Sequence, residues 1–438
     1  MIWGDRARAV FPLLPVLAVV ALLMAPVDSA SEGSGTAADA ASGFLVVYCA
    51  VRLLRERLRP LSPTAAVIVG LPVVGICLSC VTSADPAASL PGVPRYLQIF
   101  VLVPLAVLLL VRTGRDFKVI AWSLIVLALG QGVIGVEQFL TGTGASYVGE
   151  NVRAVGTFGA SDVMGMATVV SYGLVVAVGL SLGAQARRGV TSPARRAALV
   201  CVGLLLVPLA LSFSRGAWIA TIAACGVQLA LTGVRRAARV VTVLGALGVV
   251  LVLGLGVGST LVQDRLSSIT QVTDAPDRSV TDRYTMWAAA VQMWRSDPVS
   301  GVGLKEFPEY RDSNASLALS SGSDTAGAGQ TFKKQALLSP HNMYLLVLGE
   351  QGVVGLVALL GSWVALLVMA LRRLVQEGAA GRSTHCGVVA VGLLVWQMID
   401  FAYADIGGPS TVLTSVVLGL VACWALTSPG DSLREGRG

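Results

Sequence analysis

The sequence predicts an all-α, polytopic integral membrane protein with about twelve transmembrane helices and one long outer loop that carries short interfacial helices. Three observations lead there. Hydrophobic residues make up 55% of the 438-residue chain, and charged residues only 13%, about half the usual soluble share. Apolar runs recur that are close to or beyond the length needed to cross a bilayer. The segments between them alternate between basic and nearly free of basic residues.

The spans read as about 10–26, 36–53, 64–83, 96–111, 119–140, 163–182, 197–213, 216–232, 240–258, 352–371, 387–403 and 411–427. The first follows Arg6 and Arg8 as a signal peptide would. Asp28, however, occupies the −3 position of a cleavage site after Ala30, where a small neutral residue is wanted, so an uncleaved first helix is expected. With the N-terminus in the cytoplasm, every inner segment is basic: Arg52, Arg55, Arg57 and Arg59; Arg112, Arg115 and Lys118; Arg187, Arg188, Arg195 and Arg196; Arg235, Arg236 and Arg239; Arg372, Arg373 and Arg382. The short outer loops hold only Arg95, Arg153 and Arg215. Both termini are therefore expected in the cytoplasm and the long loop outside.

Three parts follow: an N-terminal transmembrane bundle of about nine spans (1–258), a large extracytoplasmic loop (259–340), and a C-terminal part with an interfacial helix and about three spans (341–438). Within the loop, Trp287, Val291 and Trp294 share one helical face, suited to a helix lying on the bilayer interface, and Asp297-Pro298 ends that helix. Gly322 to Gly329 reads as a flexible tip. The net charge of +7 is dispersed among the loops, so it does not point to nucleic acid. Cys77-x-x-Cys80 lies inside an apolar run with no second pair, which reads as packing, not as a metal or redox motif.

The chain has two histidines, and His341 is the one expected outside. Two readings stand for it: an interfacial side chain bonded to a headgroup, or a general base, since imidazole titrates near neutral pH. Pro340 and Asn342 suit a fixed turn into a helix. Counting back about twenty residues from Arg372 reaches Gly352, which leaves 341–349 as a separate short helix broken near Gly349 and Gly352. Leu345 and Leu348 would then share a face with His341, and Glu350 would lie at the break near the outer boundary.

Arg215, in Leu211-Ser-Phe-Ser-Arg-Gly-Ala-Trp218, falls between two spans so close that it must stand at the outer lip. It suits either lipid phosphates or a diphosphate, with Ser212 and Ser214 as weaker donors. Arg153 is also outside, and Arg283 opens the tryptophan-bearing helix; each reads equally as structural or functional. No D-x-D pair, HExxH, Walker loop or GxSxG occurs, so any chemistry is expected to proceed without metal or cofactor on a preactivated substrate.

The ordered set Ser214-Arg215-Gly216-Ala217-Trp218, Arg283 with Trp287, Pro298-x-x-Gly301-x-Gly303, His341-Asn342 and Glu350-x-Gly352-x-x-Gly355 resembles the O-antigen ligase/polymerase family of bacterial membrane glycosyltransferases. Arg153 with Gly156-Thr157-Phe158 resembles the family's upstream motif, although Ser161-Asp162 replaces its Pro-Asn. The resemblance covers roughly 150–365. It implies an all-helical fold and metal-independent, inverting transfer of a glycan from undecaprenyl diphosphate to an acceptor hydroxyl on a glycan, lipid or protein. It also implies that Arg215 and Arg283 bind the diphosphate, with Arg153 beside them, and that His341 activates the acceptor. Glu350, Asn342 and Ser214 would support the site. A polymerase of lipid-linked repeat units is the alternative within the class. A transporter of anions or lipid-linked sugars is the alternative outside it, disfavoured by the scarcity of ionisable residues at mid-membrane depth.

Overall fold

The computed structural model describes residues 11–27, 35–56, 61–147, 154–182, 192–233, 278–314, 323–327, 333–335 and 339–427. The chain is an all-α polytopic membrane protein in its apolar region. Among the described residues, seven helices are long and apolar enough to cross a membrane: α2 (Ala37–Glu56), α3 (Pro63–Thr82), α4 (Pro86–Leu110), α5 (Gly114–Thr141), α6 (Gly165–Leu182), α7 (Pro193–Leu211) and α11 (Met343–Ala379). Shorter apolar helices are Phe11–Leu22, whose α-helical part is α1 (Leu14–Leu22), α8 (Arg215–Leu231), α12 (His385–Asp400) and α13 (Thr411–Leu426). The span expected at 240–258 lies outside the described residues.

The long loop contributes α9 (Arg278–Ser296) and α10 (Phe307–Asn314). It also contributes two strands that the sequence reading did not anticipate, β2 (Ser323–Gly327) and β3 (Lys333–Gln335). They pair antiparallel, and β2 also pairs with β1 (Ala145–Tyr147), so the expected flexible tip is a strand. Its backbone groups find ladder partners there.

Helix packing relies on small residues and on polar side chains that reach across to backbone. Gly75 on α3 meets Gly355 on α11 so closely that a Cβ on either would collide, which lets the two backbones touch. Ser362 Oγ then donates to Ile68 O at 2.7 Å across the same interface. Gln228 on α8 donates to Val175 O (3.0 Å) on α6 and to Val388 O (3.1 Å) on α12, joining three helices at a fully buried point. All seven cysteines are free; Cys77 is exposed and Cys80 half-buried on α3.

The break expected in the last long apolar segment is present. Gly352 has φ 65° and ψ −167°, a region essentially open only to glycine, and α11 kinks there. A kink frees backbone groups that must find partners inside an apolar surrounding. The segment 298–303 supplies them. Val353 N donates to Pro298 O (3.0 Å) and Val354 N to Val299 O (3.2 Å). Val302 N in turn donates to Gly349 O (3.0 Å) and Gly303 N to Glu350 O (3.1 Å). The Pro298-x-x-Gly301-x-Gly303 and Glu350-x-Gly352 motifs are thus two halves of one interlock.

Glu350 completes it. The side chain is buried, accepts from Tyr96 OH at 2.9 Å and from Phe307 N at 3.3 Å, and its carbonyl accepts from Ser79 Oγ at 2.6 Å. It ties the outer loop to α3 and α4. Glu350 does sit at the break, and its side-chain bonds come from α4 and the loop, not from the imidazole.

Helix α9 buries Met286, Ala289, Ala290 and Met293, spaced for one face, and packs on the first turns of α11 beside Gly349. The two tryptophans flank that face. Trp287 Nε1 donates to Pro340 O (2.9 Å) and Trp294 Nε1 to Pro298 O (3.2 Å), so their indoles also clamp the chain.

Gly352→Ala is expected to destabilise the protein by at least about 1–3 kcal/mol, because its Cβ would also strike Val299 O. The loss should appear as a lower midpoint in heating followed by size-exclusion detection. Glu350→Ala is expected to release 298–307, read as faster limited proteolysis in the outer loop than in wild type.

Candidate active site

The site is organised by a ten-residue turn, Phe401 to Ser410, between α12 and α13. Its backbone accepts the first N–H of α11: Met343 N lies 2.8 Å from Phe401 O and 3.0 Å from Ala404 O. Its Asp405 folds back to accept from Gly407 N at 2.9 Å. Ser339 Oγ donates to the other carboxylate oxygen of Asp405. Gly408 lies so close to the Asp162 carboxylate that no side chain would fit, and Ser410 N donates to Asp162 Oδ2 at 3.0 Å.

His341 stands immediately before α11, not on its face. This corrects the expectation that it shares a helical stripe with Leu345 and Leu348. Asn342 is the N-cap, accepting from Leu345 N at 3.1 Å, and His341 therefore lies outside the helix in left-handed backbone, φ 48°. That conformation is costly for a side-chain-bearing residue and is held by its flanks. Pro340 O is fixed by Trp287, and Met343 N by the 401–410 turn.

The strained turn aims the imidazole at Asp405, with Nδ1 3.7 Å from Oδ2. This is an electrostatic contact and is too long for a hydrogen bond. The His341 side chain keeps 47% of its surface accessible while that of Asp405 keeps 6%, so the histidine is open to its surroundings and its partner is buried. The surrounding protein lowers the His341 pKa below the ordinary 6.5, chiefly by displacing water. Asp405 opposes this and the nearby Arg283 guanidinium adds to it. The direction of this shift favours the neutral imidazole, the form able to accept a proton.

Arg283 sits one turn before Trp287 on α9 and is half-buried, close enough for its charge to act on His341. Arg215 is the first residue of α8 and is exposed. Its neighbour Gly216 packs against Tyr403, to within 3.1 Å of the tyrosine Cβ for a Cβ at position 216, two residues from Asp405. The turn thus touches the elements that carry His341, Arg215 and Asp162. Helix α8 presents its positive dipole end there, which favours an anion alongside the guanidinium.

The serines beside Arg215 have local duties. Ser214 is the N-cap of α8, accepting from Ala217 N at 3.3 Å, and Ser212 Oγ donates to Leu209 O at 2.7 Å. Both are buried. They shape the arginine's turn; Ser212 commits its hydroxyl proton to Leu209 O, and Ser214 uses only an acceptor lone pair for the cap. Arg153 lies outside the described residues; the next residue, Ala154, donates its N–H to Leu211 O at 3.4 Å.

Sequence reading missed Asp405 and Asp162. Asp162 is held above the usual carboxylate range by burial; Ser410 lowers its pKa and Asp405 raises it. The available signal was modest: an imidazole outside the apolar runs needs an acidic partner, and few carboxylates stand in the short turns between them. Among the described residues, no cluster of three or more His, Cys, Asp or Glu side chains is arranged to hold a metal ion.

Residues 197–360 match the family model described as O-antigen ligase. No curated protein matches the chain. The matched region holds Arg215, Arg283, His341 and Glu350; Asp405 lies beyond it. The ordered motifs and this match agree on membrane glycan transfer involving lipid-linked substrates, and over residues 197–360 the chain is similar to the O-antigen ligase family.

Proposed function

We propose that the protein transfers a glycan from undecaprenyl diphosphate to an acceptor hydroxyl on the outer face of the cytoplasmic membrane, with inversion and without a metal. The observation that carries this is the placement of His341 beside Asp405 and Arg283, on a turn that also seats the Arg215 end of α8. The basic residues of the loops at the opposite end support an outward-facing site with both termini in the cytoplasm.

In this reading each part of the chain supplies one function. The bundle 1–258 presents Arg215 and Arg153 to the diphosphate. The loop 259–340 presents Arg283. The segment 341–438 presents His341 and Asp405.

The arginines and the α8 dipole stabilise the negative charge that grows on the leaving diphosphate. His341 Nδ1 is turned to Asp405, which leaves Nε2 for the acceptor. As the acceptor oxygen bonds to the anomeric carbon, the bond from that carbon to the diphosphate oxygen breaks. The diphosphate departs with the electron pair, and Nε2 takes the hydroxyl proton. Asp405 stabilises the imidazolium that results. Attack on the side opposite the leaving group inverts the anomeric centre. A contact of 3.7 Å tightens as the ring gains charge.

The test is incubation of purified protein with lipid-diphosphate glycan and candidate acceptors, followed by mass analysis. A single transferred glycan on a separate acceptor marks a ligase, and a ladder without added acceptor marks a polymerase. His341→Ala should lower turnover by about 10²–10⁴-fold with the protein still folded. Normal transfer by that variant would remove the base from the mechanism. Arg283→Gln should cost on the order of 10²–10³-fold in kcat.

The pH profile has a definite sign. The neutral imidazole is the active form, and its pKa lies below 6.5, so the acid limb of kcat/KM should fall below pH 6.5. A limb above that value would contradict the assignment. Chelation should leave the rate unchanged.

A further inference from the structure

Arg95 is one of the few basic residues in the short outer loops, and the mechanism above leaves it unused. It sits on α4 just before a π-helical turn, Gln98–Leu102, an irregularity that re-aims the side chains on either side of it. Its guanidinium makes three attachments, one of them from Nη1 to Gln98 Oε1 at 3.2 Å on its own helix. Nη1 pairs with Asp39 Oδ1 at 2.5 Å, and Nη2 donates to Gly408 O at 3.2 Å. Asp39 is itself fixed. Gln98 Nε2 donates to it at 3.1 Å and to Ser42 Oγ at 2.7 Å, and Thr36 N donates to it at 2.9 Å.

Gly408 is three residues from Asp405 on the turn that faces His341. Asp162 holds the same turn from the other side through Ser410 N. Gly407 N ties the Asp405 carboxylate to this stretch at 2.9 Å. The backbone of 407–410 is therefore gripped from α4 and from the 156–162 segment, and its grip sets where the Asp405 carboxylate stands.

We propose that Arg95 is a positioning residue, anchored on Asp39, that holds the 401–410 turn so that Asp405 faces His341. The inference rests on the reading in which the His341–Asp405 pair works on the acceptor. It adds a distant support that touches no substrate.

The two histidines make the test direct, because the full-length protein labelled at histidine ring carbons gives only two ring signals, and His385→Gln assigns them. The charged groups that act on His341 are Asp405 and Arg283. Loss of the Asp405 charge lowers the His341 pKa, so Asp405→Asn should shift the titration to lower pH. Arg95→Gln should shift it the same way by letting Asp405 withdraw. Simple loss of a nearby positive charge would instead shift it upward, so the direction separates positioning from bulk electrostatics. In the Asp405→Asn background, Arg95→Gln should add no further shift.

An upward or absent shift in Arg95→Gln, alongside a downward shift in Asp405→Asn, overturns the role of Arg95 alone. No shift in Asp405→Asn overturns the His341–Asp405 pair and with it the proposed mechanism. If Arg95→Gln does not fold, Arg95→Lys keeps the charge but not the two-armed geometry. It should show a smaller shift in the same direction, and no shift overturns the proposal.

Discussion

The candidate site depends on a ten-residue turn that has almost no freedom. Phe401 and Ala404 carbonyls receive the leading N–H of α11, Gly408 is pressed against the Asp162 carboxylate, and Asp405 is tied to Gly407 N. A turn at the edge of an apolar bundle would otherwise carry unpaired backbone groups, which are costly there. Satisfying them fixes the turn, and fixing the turn brings together residues far apart in the chain: Asp162, Gly216, His341 and Asp405. The left-handed backbone of His341 follows from the same constraint, since it is gripped on both flanks.

A second constraint separates support from chemistry. The kink at Gly352 opens the α11 ladder, and the turn at residues 298–303 supplies the missing partners. Glu350 pins that partner through Phe307 N and Tyr96. This holds α9 against α11, and α9 brings Arg283 toward His341. The acidic side chain whose presence in apolar sequence looks most suspicious is thus a structural tie. The carboxylate nearest the imidazole sits in an unremarkable loop more than sixty residues later in the chain.

Much of the fold was legible because bilayer physics writes itself in one dimension. Apolar run length gives the long helices. The break at Gly352 was readable from the distance to Arg372, and the turn into α11 from Pro340 and Asn342. The His341 stripe was misread because the cap placed one residue later removes His341 from the helix. Ser214 has a second duty that spacing did not announce, since a helix-starting serine gives its oxygen to the cap. Asp405 and Arg95 could not be read by spacing. Their roles arise where α4, α12 and α13 meet, and no periodicity in the chain marks that meeting. The short strands β2 and β3 were invisible because their residues have weak strand preference and gain their pairing only from neighbours.

The central claim is that the 401–410 turn seats the Arg215 end of α8 beside the His341 site. It is tested most directly by a disulfide between positions 216 and 403. A Cβ at 216 stands 3.1 Å from Tyr403 Cβ, so a backbone shift of roughly half an ångström brings the pair into the Cβ–Cβ range of a disulfide. In a cysteine-free background, Gly216→Cys with Tyr403→Cys should cross-link readily in intact membranes under mild oxidant. Failure to cross-link, with each cysteine alone still reactive to a thiol reagent and the protein folded, would contradict the account.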